Sequence, residues 1–571
     1  MTMKGFTMKN TKVLSFLLSF LTCLSLSILS ILQSYYFISL LIFIVLFVFY
    51  EKEIEKTKIE RKEKLLILIS TILAALLSFG KILSDNYYSI SFSLFSIKTI
   101  IKILIGIIGF VPLLFYLINY LLCKLKNISI NEDKKVSKKY WFIFSLIIFI
   151  TWIPYYLINY PGIVSTDVLD QLSQILGISI LNNHHPVLHT LYVGGLYKLF
   201  LFGGSNFAIA CSVIIQMIIL SIIFGYIVYY LNKKGIGKLY TIIIMVFYAT
   251  PIFGIYATVL WKDSLFAGII VILTVSIIKL CDEDNIASYV LFIISSLLAL
   301  LLRNNTIYMY IIFIPLSLIF FKEKWKKMIV CFVVIIGVYA IIKGPVFSHY
   351  NIKSGSSAES LAIPMQQIGR IVSKDKYINN KDEKLINEII NTNTLKKLYA
   401  PNTFDNIKFN KSFNIKPYDK NKSKYLKLWI KLVCKYPDVA VESYMLSTLG
   451  YWHIDNDKYM DYDKIDENNL GIYSKPKLPN FIINGVNLLK NRNIPILTYE
   501  YSCAFAIYLI LFLCILCIYI NNKKYLICYI PMFGLWLTFM IATPVSNEFR
   551  YVFWAYACLP ILVFIPFKKE K

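Results

Sequence analysis

Long apolar runs separated by short polar joints set the pattern of this chain. The runs fall at about 13–32, 35–50, 65–83, 94–122, 141–158, 206–231, 239–258, 264–280, 287–302, 306–321, 328–343, 502–520, 525–541 and 549–566. Runs of roughly 17 to 25 apolar residues match the thickness of a bilayer's hydrocarbon core. Inside hydrocarbon an unpaired backbone group costs several kcal/mol, so only helices and closed barrels cross it. None of the runs alternates apolar and polar positions as a barrel strand would, so the pattern predicts about 14 transmembrane helices in an all-α polytopic membrane protein. Composition agrees: 57% of the 571 residues are hydrophobic and the mean hydropathy is +0.63, more apolar side chain than a water-facing globule can bury.

Charge then orients the spans. A net charge of +26 in a soluble chain would point to nucleic acid, but here the lysines gather in short joints and at the tails. Counted from a cytoplasmic N-terminus, the Lys-rich joints 51–64, 123–139, 232–238 and 322–327, the pair Lys523 and Lys524, and the C-terminal KKEK all lie inside, as the positive-inside rule expects. Both termini are then cytoplasmic. The loop 159–190 and the turns around Lys262, Arg303 and 543–550 fall together on the outer side, with the polar region 345–500. The apolar segment 186–203 would invert every later loop if it crossed, so it is expected to lie in the outer interface, opened by Pro186 and ended by Gly203-Gly204. The lysines ahead of the first run resemble a secretory signal, but a second span follows at once, which favours an uncleaved first helix. Most of the eleven cysteines sit in apolar spans and only Cys434 lies in 345–500, so no intramolecular disulfide framework is available there. Four blocks follow: accessory helices 1–140, a transmembrane core 141–343 with an outer loop 159–205, an extracytoplasmic region 344–501, and C-terminal helices 502–571.

Candidate chemistry concentrates in the loop 159–190, where Asp167, Asp170, Gln171, His184, His185 and His189 crowd together. Ionisable groups beside a membrane are costly to place, so such a cluster reads as a functional site. Asp167 and Asp170 share a helical face with Gln171 beside them, and a carboxylate there can act as general base or hold a divalent cation. The competing reading is a helix N-cap formed by Ser165, Thr166 or Asp167. His185 and His189 have the i, i+4 spacing of zinc ligands but lack a clear third ligand, so no metal site is assigned. Arginine is scarce, five among 59 basic residues, yet Arg303 and Arg550 lie at outer helix ends where the positive-inside bias disfavours them. A fork-shaped guanidinium there suits a phosphate at headgroup level, although snorkelling to the interface would also explain it. Lys262 is a third candidate for the phosphate, and Asp263 either positions substrate or caps the next helix.

The order of these motifs resembles the GT-C superfamily of membrane glycosyltransferases, in the branch of protein O-mannosyltransferases and aminoarabinose transferases. The matching text is Asp167 in GIVSTDVLDQ, HHPVLHTLYVGGLYKLFLFGGSNFAIA at 184–210, Asp263 in VLWKDSLF, Arg303, and Arg550-Tyr551 in EFRYVFWAYACLP; it covers roughly 141–320 and 543–566. The family often carries a paired acidic motif and two prolines after the histidine, where this chain has Asp167-Val168 and HHPV. The resemblance implies a GT-C-like core, with Asp167 as catalytic base and Arg303, Arg550 and Lys262 on the donor phosphate. Asp170, Gln171, His184, His185, Asp263 and Tyr551 would position substrate. The expected reaction is inverting transfer of a sugar from a polyprenyl-phosphate carrier to an envelope glycan, lipid or protein, on the outer face of the cytoplasmic membrane. No cofactor is required by it, a divalent cation is compatible with it, and nucleic acid has no part in it. A lipid-linked glycan flippase or transporter, and a polysaccharide polymerase or ligase, are the alternatives from other classes.

Overall fold

The computed structural model describes residues 8–31, 36–57, 61–128, 130, 134–454, 464–489, 502–542 and 545–568. Among them the fold is all-helical, with isolated β-bridges in place of a sheet. The last residues of the KKEK tail, part of the joint 51–64 and part of the turn 543–550 lie outside the described residues. Each apolar run predicted from the sequence contains a helix among the described residues. Among the described residues eight helices are long and apolar enough to cross a membrane: Asn10–Ile28, Lys62–Asp85, Ile97–Leu125, Lys139–Ile158, Ser205–Lys233, Lys262–Asp282, Trp325–His349 and Lys523–Ile541. Lys238–Tyr248 and Pro251–Thr258 make a ninth if joined, bent by 47° where Pro251 cannot continue the preceding hydrogen-bond ladder. Ile286–Leu302, Thr306–Phe320, Cys503–Tyr519 and Phe553–Phe567 are apolar but shorter.

The segment expected to lie in the interface forms the helix Val187–Phe200, with Pro186 at its N-cap and a 3-10 turn ending at Gly203. Its 14 residues would span only about 21 Å, short of the roughly 30 Å hydrocarbon core.

The chain forms two compact units, each assembled from segments far apart in sequence. One comprises Met1–Ile128, Ser357–Lys458 and Met540–Asn547; the other comprises Ser129–Ser356, Tyr459–Phe539 and Glu548–Lys571. In the first, the polar stretch after residue 357 is a helical domain around Met365, Ile368, Ile371, Ile386, Leu395, Phe404, Leu428 and Leu432. The sequence YPDVAVESYMLSTLGYWHID supplies the helix Pro437–Thr448, whose Glu442 is buried and accepts from Arg370 Nε at 2.9 Å, from Lys374 at 2.6 Å and from the backbone of Leu94 at 3.0 Å. The domain is thereby fastened to the connector between Lys62–Asp85 and Ile97–Leu125.

The second unit is built around Lys262–Asp282, the most buried of the candidate spans. Lys262 and Asp263 open its first turn, with Asp263 buried.

Candidate functional site

The loop before Asp167 is held in register by the chain that precedes Lys262. Ile163 and Val259 form a parallel bridge, with Ile163 N donating to Thr258 O at 3.0 Å and Leu260 N to Ile163 O at 3.4 Å. Gly162 makes the close approach possible: its φ is +147°, and a Cβ there would lie 2.4 Å from Cγ2 of Val213. Trp261 Nε1 donates to Ser165 Oγ at 2.8 Å, closing the same joint. Two segments almost a hundred residues apart thus deliver Asp167 and Lys262 to one place.

The helix Thr166–Ile175 follows, with Asp167 in its first turn. No side chain of Ser165 caps it. Instead Asp466, from a distant segment, accepts from Thr166 N at 2.7 Å and donates its own N–H to Val164 O at 3.0 Å. The carboxylate of Asp167 points to cations: Arg550 Nη1 at 2.8 Å and Lys262 Nζ at 3.9 Å. Burial by itself would raise the Asp167 carboxyl, but Arg550 and then Lys262 outweigh it and hold the group well below the ordinary carboxylate range. Glu548 also faces Arg550, at 3.6 Å.

Asp263 is likewise no helix cap. It is 1% exposed and accepts from Arg303 Nη1 at 2.8 Å. The Arg303 guanidinium is boxed by the rings of Phe266, Phe539 and Tyr551, with centroids at 5.5, 5.0 and 5.0 Å, and also donates to Tyr551 O at 3.5 Å. The Tyr551 ring carries Arg550 as well, at 5.2 Å, and stacks on Phe539. Tyr551 is therefore the plate against which both arginines are set, a role its place beside Arg550 in the sequence hinted at. Arg303 is enclosed in a buried ion pair, whereas Arg550 and Lys262 meet the quarter-exposed Asp167.

The histidines divide. His185 is buried, with Nε2 3.8 Å from Asp170 Oδ2, and its ring packs edge-on to exposed His184 at 4.7 Å. Burial, with Lys262 adding to it, lowers the His185 imidazole to about 3, so it is neutral at ordinary pH. His189 is fully buried and likewise lowered to about 3, chiefly by burial and then by Lys262. Its Nδ1 meets Gln171 Oε1 at 3.1 Å, and Gln171 Nε2 donates to Thr190 Oγ1 at 3.0 Å. Gln171 is thus committed to joining the helices Thr166–Ile175 and Val187–Phe200 and does not present its amide to a substrate. Asp170 remains partly exposed, accepting from Gln174 at 2.7 Å. Among the described residues no group of three or more His, Cys, Asp or Glu is placed to hold a metal ion.

A second polar cluster lies next to Arg303 in the chain. Lys343 Nζ donates to Asn304 Oδ1 at 2.8 Å and to Asn183 Oδ1 at 2.9 Å, and Asn304 Nδ2 donates to Asn183 O at 3.0 Å. In the sequence Lys343 ends the apolar run 328–343, and a basic residue at a helix end, as at Arg303, is the signal that points to it.

The fold and the site together define an all-helical membrane protein whose carboxylates and cations from four chain segments meet within one helical unit. The chain belongs to the family described as a family of unknown function, DUF6020, which it matches over residues 176–571. The match includes His184, His185, Lys262, Asp263, Arg303, Lys343 and Arg550, and begins after the helix bearing Asp167. No curated protein and no solved structure matches the chain.

Proposed function

We propose that this protein is an inverting glycosyltransferase that moves a sugar from a polyprenyl-phosphate carrier to an envelope acceptor on the outer face of the cytoplasmic membrane. The observation that carries the reading is the pairing of Asp167 with Arg550 and Lys262 at the ends of apolar helices. One side of that pairing offers a proton acceptor, and the other offers positive charge for a phosphate leaving group. The acceptor hydroxyl passes its proton to Asp167 while its oxygen attacks the anomeric carbon. The bond from that carbon to the carrier oxygen breaks, and its electron pair stays on the phosphate, where Arg550 and Lys262 stabilise it. A phosphate competing for Arg550 also weakens the hold that keeps Asp167 so acidic, so the base strengthens only with donor in place. His185, Asp170 and His184 line the acceptor side. Asp263 and Arg303 brace the turn that presents Lys262, and Tyr551 orients Arg550.

In this reading all fourteen apolar helices are embedded, with a GT-C-like core. The shorter ones tilt less or sit where the bilayer is thinned. The domain beginning near residue 357 lies outside the cell with the site, both termini are cytoplasmic, and no cofactor is required, while a divalent cation is compatible with the reaction. Asp167→Asn should slow transfer by about a hundredfold or more while leaving membrane insertion intact; near-normal transfer would remove Asp167 as base.

One observation favours a second reading. The 47° break between Lys238–Tyr248 and Pro251–Thr258 is the kind of interrupted helix found in transporters, so a lipid-linked glycan flippase is the alternative.

A further inference from the structure

Extending the transferase reading, we infer that Lys343, Asn304 and Asn183 form the site at which the phosphate of a long-chain lipid first binds, on the flank of the helix Trp325–His349. The cations nearest Asp167 are already compensated: Arg550 by Asp167 and Glu548, Lys262 by Asp167, Arg303 by Asp263. Among the described residues Lys343 has no carboxylate partner. Its ammonium is held by the amide oxygens of Asn304 and Asn183, which come from two other segments. Snorkelling would send the ammonium out to water, but here it is drawn in and fixed, between the rings of Phe347 at 4.8 Å and Tyr339 at 5.7 Å.

Two further features suit an anion. The 15-residue helix Thr306–Phe320 starts two residues past Asn304 with no side-chain cap, which puts its positive end near the asparagine that holds the lysine. Lys343 itself lies in a π-turn, Ile342–Val346, a local widening of the helix that often marks functional sites. The lipid character of the ligand follows from the carrier helix, whose Val330, Val333, Val334, Val338 and Ile341 are exposed along its length. An apolar chain can run down that face while its phosphate rests at Lys343. From there the polar residues lead inward by chain neighbours and ion pairs: Asn304 to Arg303, Arg303 to Asp263, Asp263 to Lys262, and Lys262 to Asp167.

The test measures equilibrium binding of radiolabelled polyprenyl phosphate to the full-length protein in nanodiscs, with inorganic phosphate as a separate probe. Lys343→Gln keeps a hydrogen-bond donor for the two asparagines and should weaken lipid binding roughly tenfold, the loss of one charge-assisted contact, while Lys343→Arg should restore most of it. Equal binding by wild type and a folded Lys343→Gln protein would overturn the inference, as would binding of inorganic phosphate at Lys343 without binding of the lipid. The outcomes separate this site from the transferase reading. A Lys343-dependent lipid phosphate site in a protein that transfers no sugar leaves the site standing and removes the transferase. Sugar transfer with lipid binding indifferent to Lys343 removes the site alone.

Discussion

The carboxylate of Asp167 and the imidazoles of His185 and His189 are displaced in ways that make opposite contributions to charge but agree in their pH consequence. Asp167 stays ionised far into acid because Arg550 and Lys262 outweigh its burial, and both histidines stay neutral down to about 3. None of them changes charge between pH 5 and 8. The kcat/KM profile, which reports the free enzyme, should therefore be flat across that range on its acid side; a limb near the ordinary histidine value of about 6.5 would contradict the assignment. Stability behaves differently. The unfolded chain takes up protons on His185 and His189 below about pH 6.5 while the folded one does not, so their contribution is full above that value and declines as pH falls. Thermal unfolding in detergent at pH 7.5 and 5.5 checks the sign. Arg303→Ala strands Asp263 as a buried unpaired charge and should cost about 3–5 kcal/mol of stability, read in the same assay. A variant as stable as wild type would show that Arg303 is not the brace the geometry makes it.

Among the elements, the loop 160–165 is tied directly to the chain before Lys262. Its pairing with Val259 and the Trp261–Ser165 bond decide where Asp167 stands relative to Lys262. Gly162→Ala forces a Cβ toward Val213 in a backbone region that disfavours side chains, and should lower stability by roughly 1–3 kcal/mol together with activity. Gly195→Ala, in the helix Val187–Phe200 with open space around it, should leave activity unchanged and raise stability by about 0.5–1 kcal/mol. This element also marks the limit of what the sequence discloses. The helices were legible because apolar runs between lysines encode them directly, and Asp167, Lys262, Arg303 and Arg550 were legible because charges at helix ends are rare. Asp466 as the cap of Thr166–Ile175, and Asp263 as the partner of Arg303, depend on contacts 300 and 40 residues apart that no local pattern encodes. Gln171 was read as substrate-facing because it neighbours Asp170 in sequence; burial against His189 and Thr190 turns it inward.

On the scale of the whole molecule, the proposed sidedness places the domain beginning near residue 357 outside the cell. Cys434 is exposed on that domain. A membrane-impermeant maleimide should label it in intact cells, and Cys434→Ser should abolish that label. Labelling that appears only after permeabilisation would invert the topology. The compact units are not contiguous in sequence: one gathers Met1–Ile128 with Ser357–Lys458 and Met540–Asn547. The buried Glu442 link to Leu94 joins segments 348 residues apart, a separation that hydrophobic patterning does not register.

The central claim, that a bond is made at Asp167, is tested most directly in proteoliposomes carrying a polyprenyl phosphosugar labelled in the sugar, with envelope glycan as acceptor on the same side as residue 434. Wild-type protein is predicted to leave the label covalently on the acceptor, and Asp167→Ala to leave it on the lipid. Label that crosses the bilayer still attached to its carrier, equally in both proteins, would contradict the account and make this a flippase.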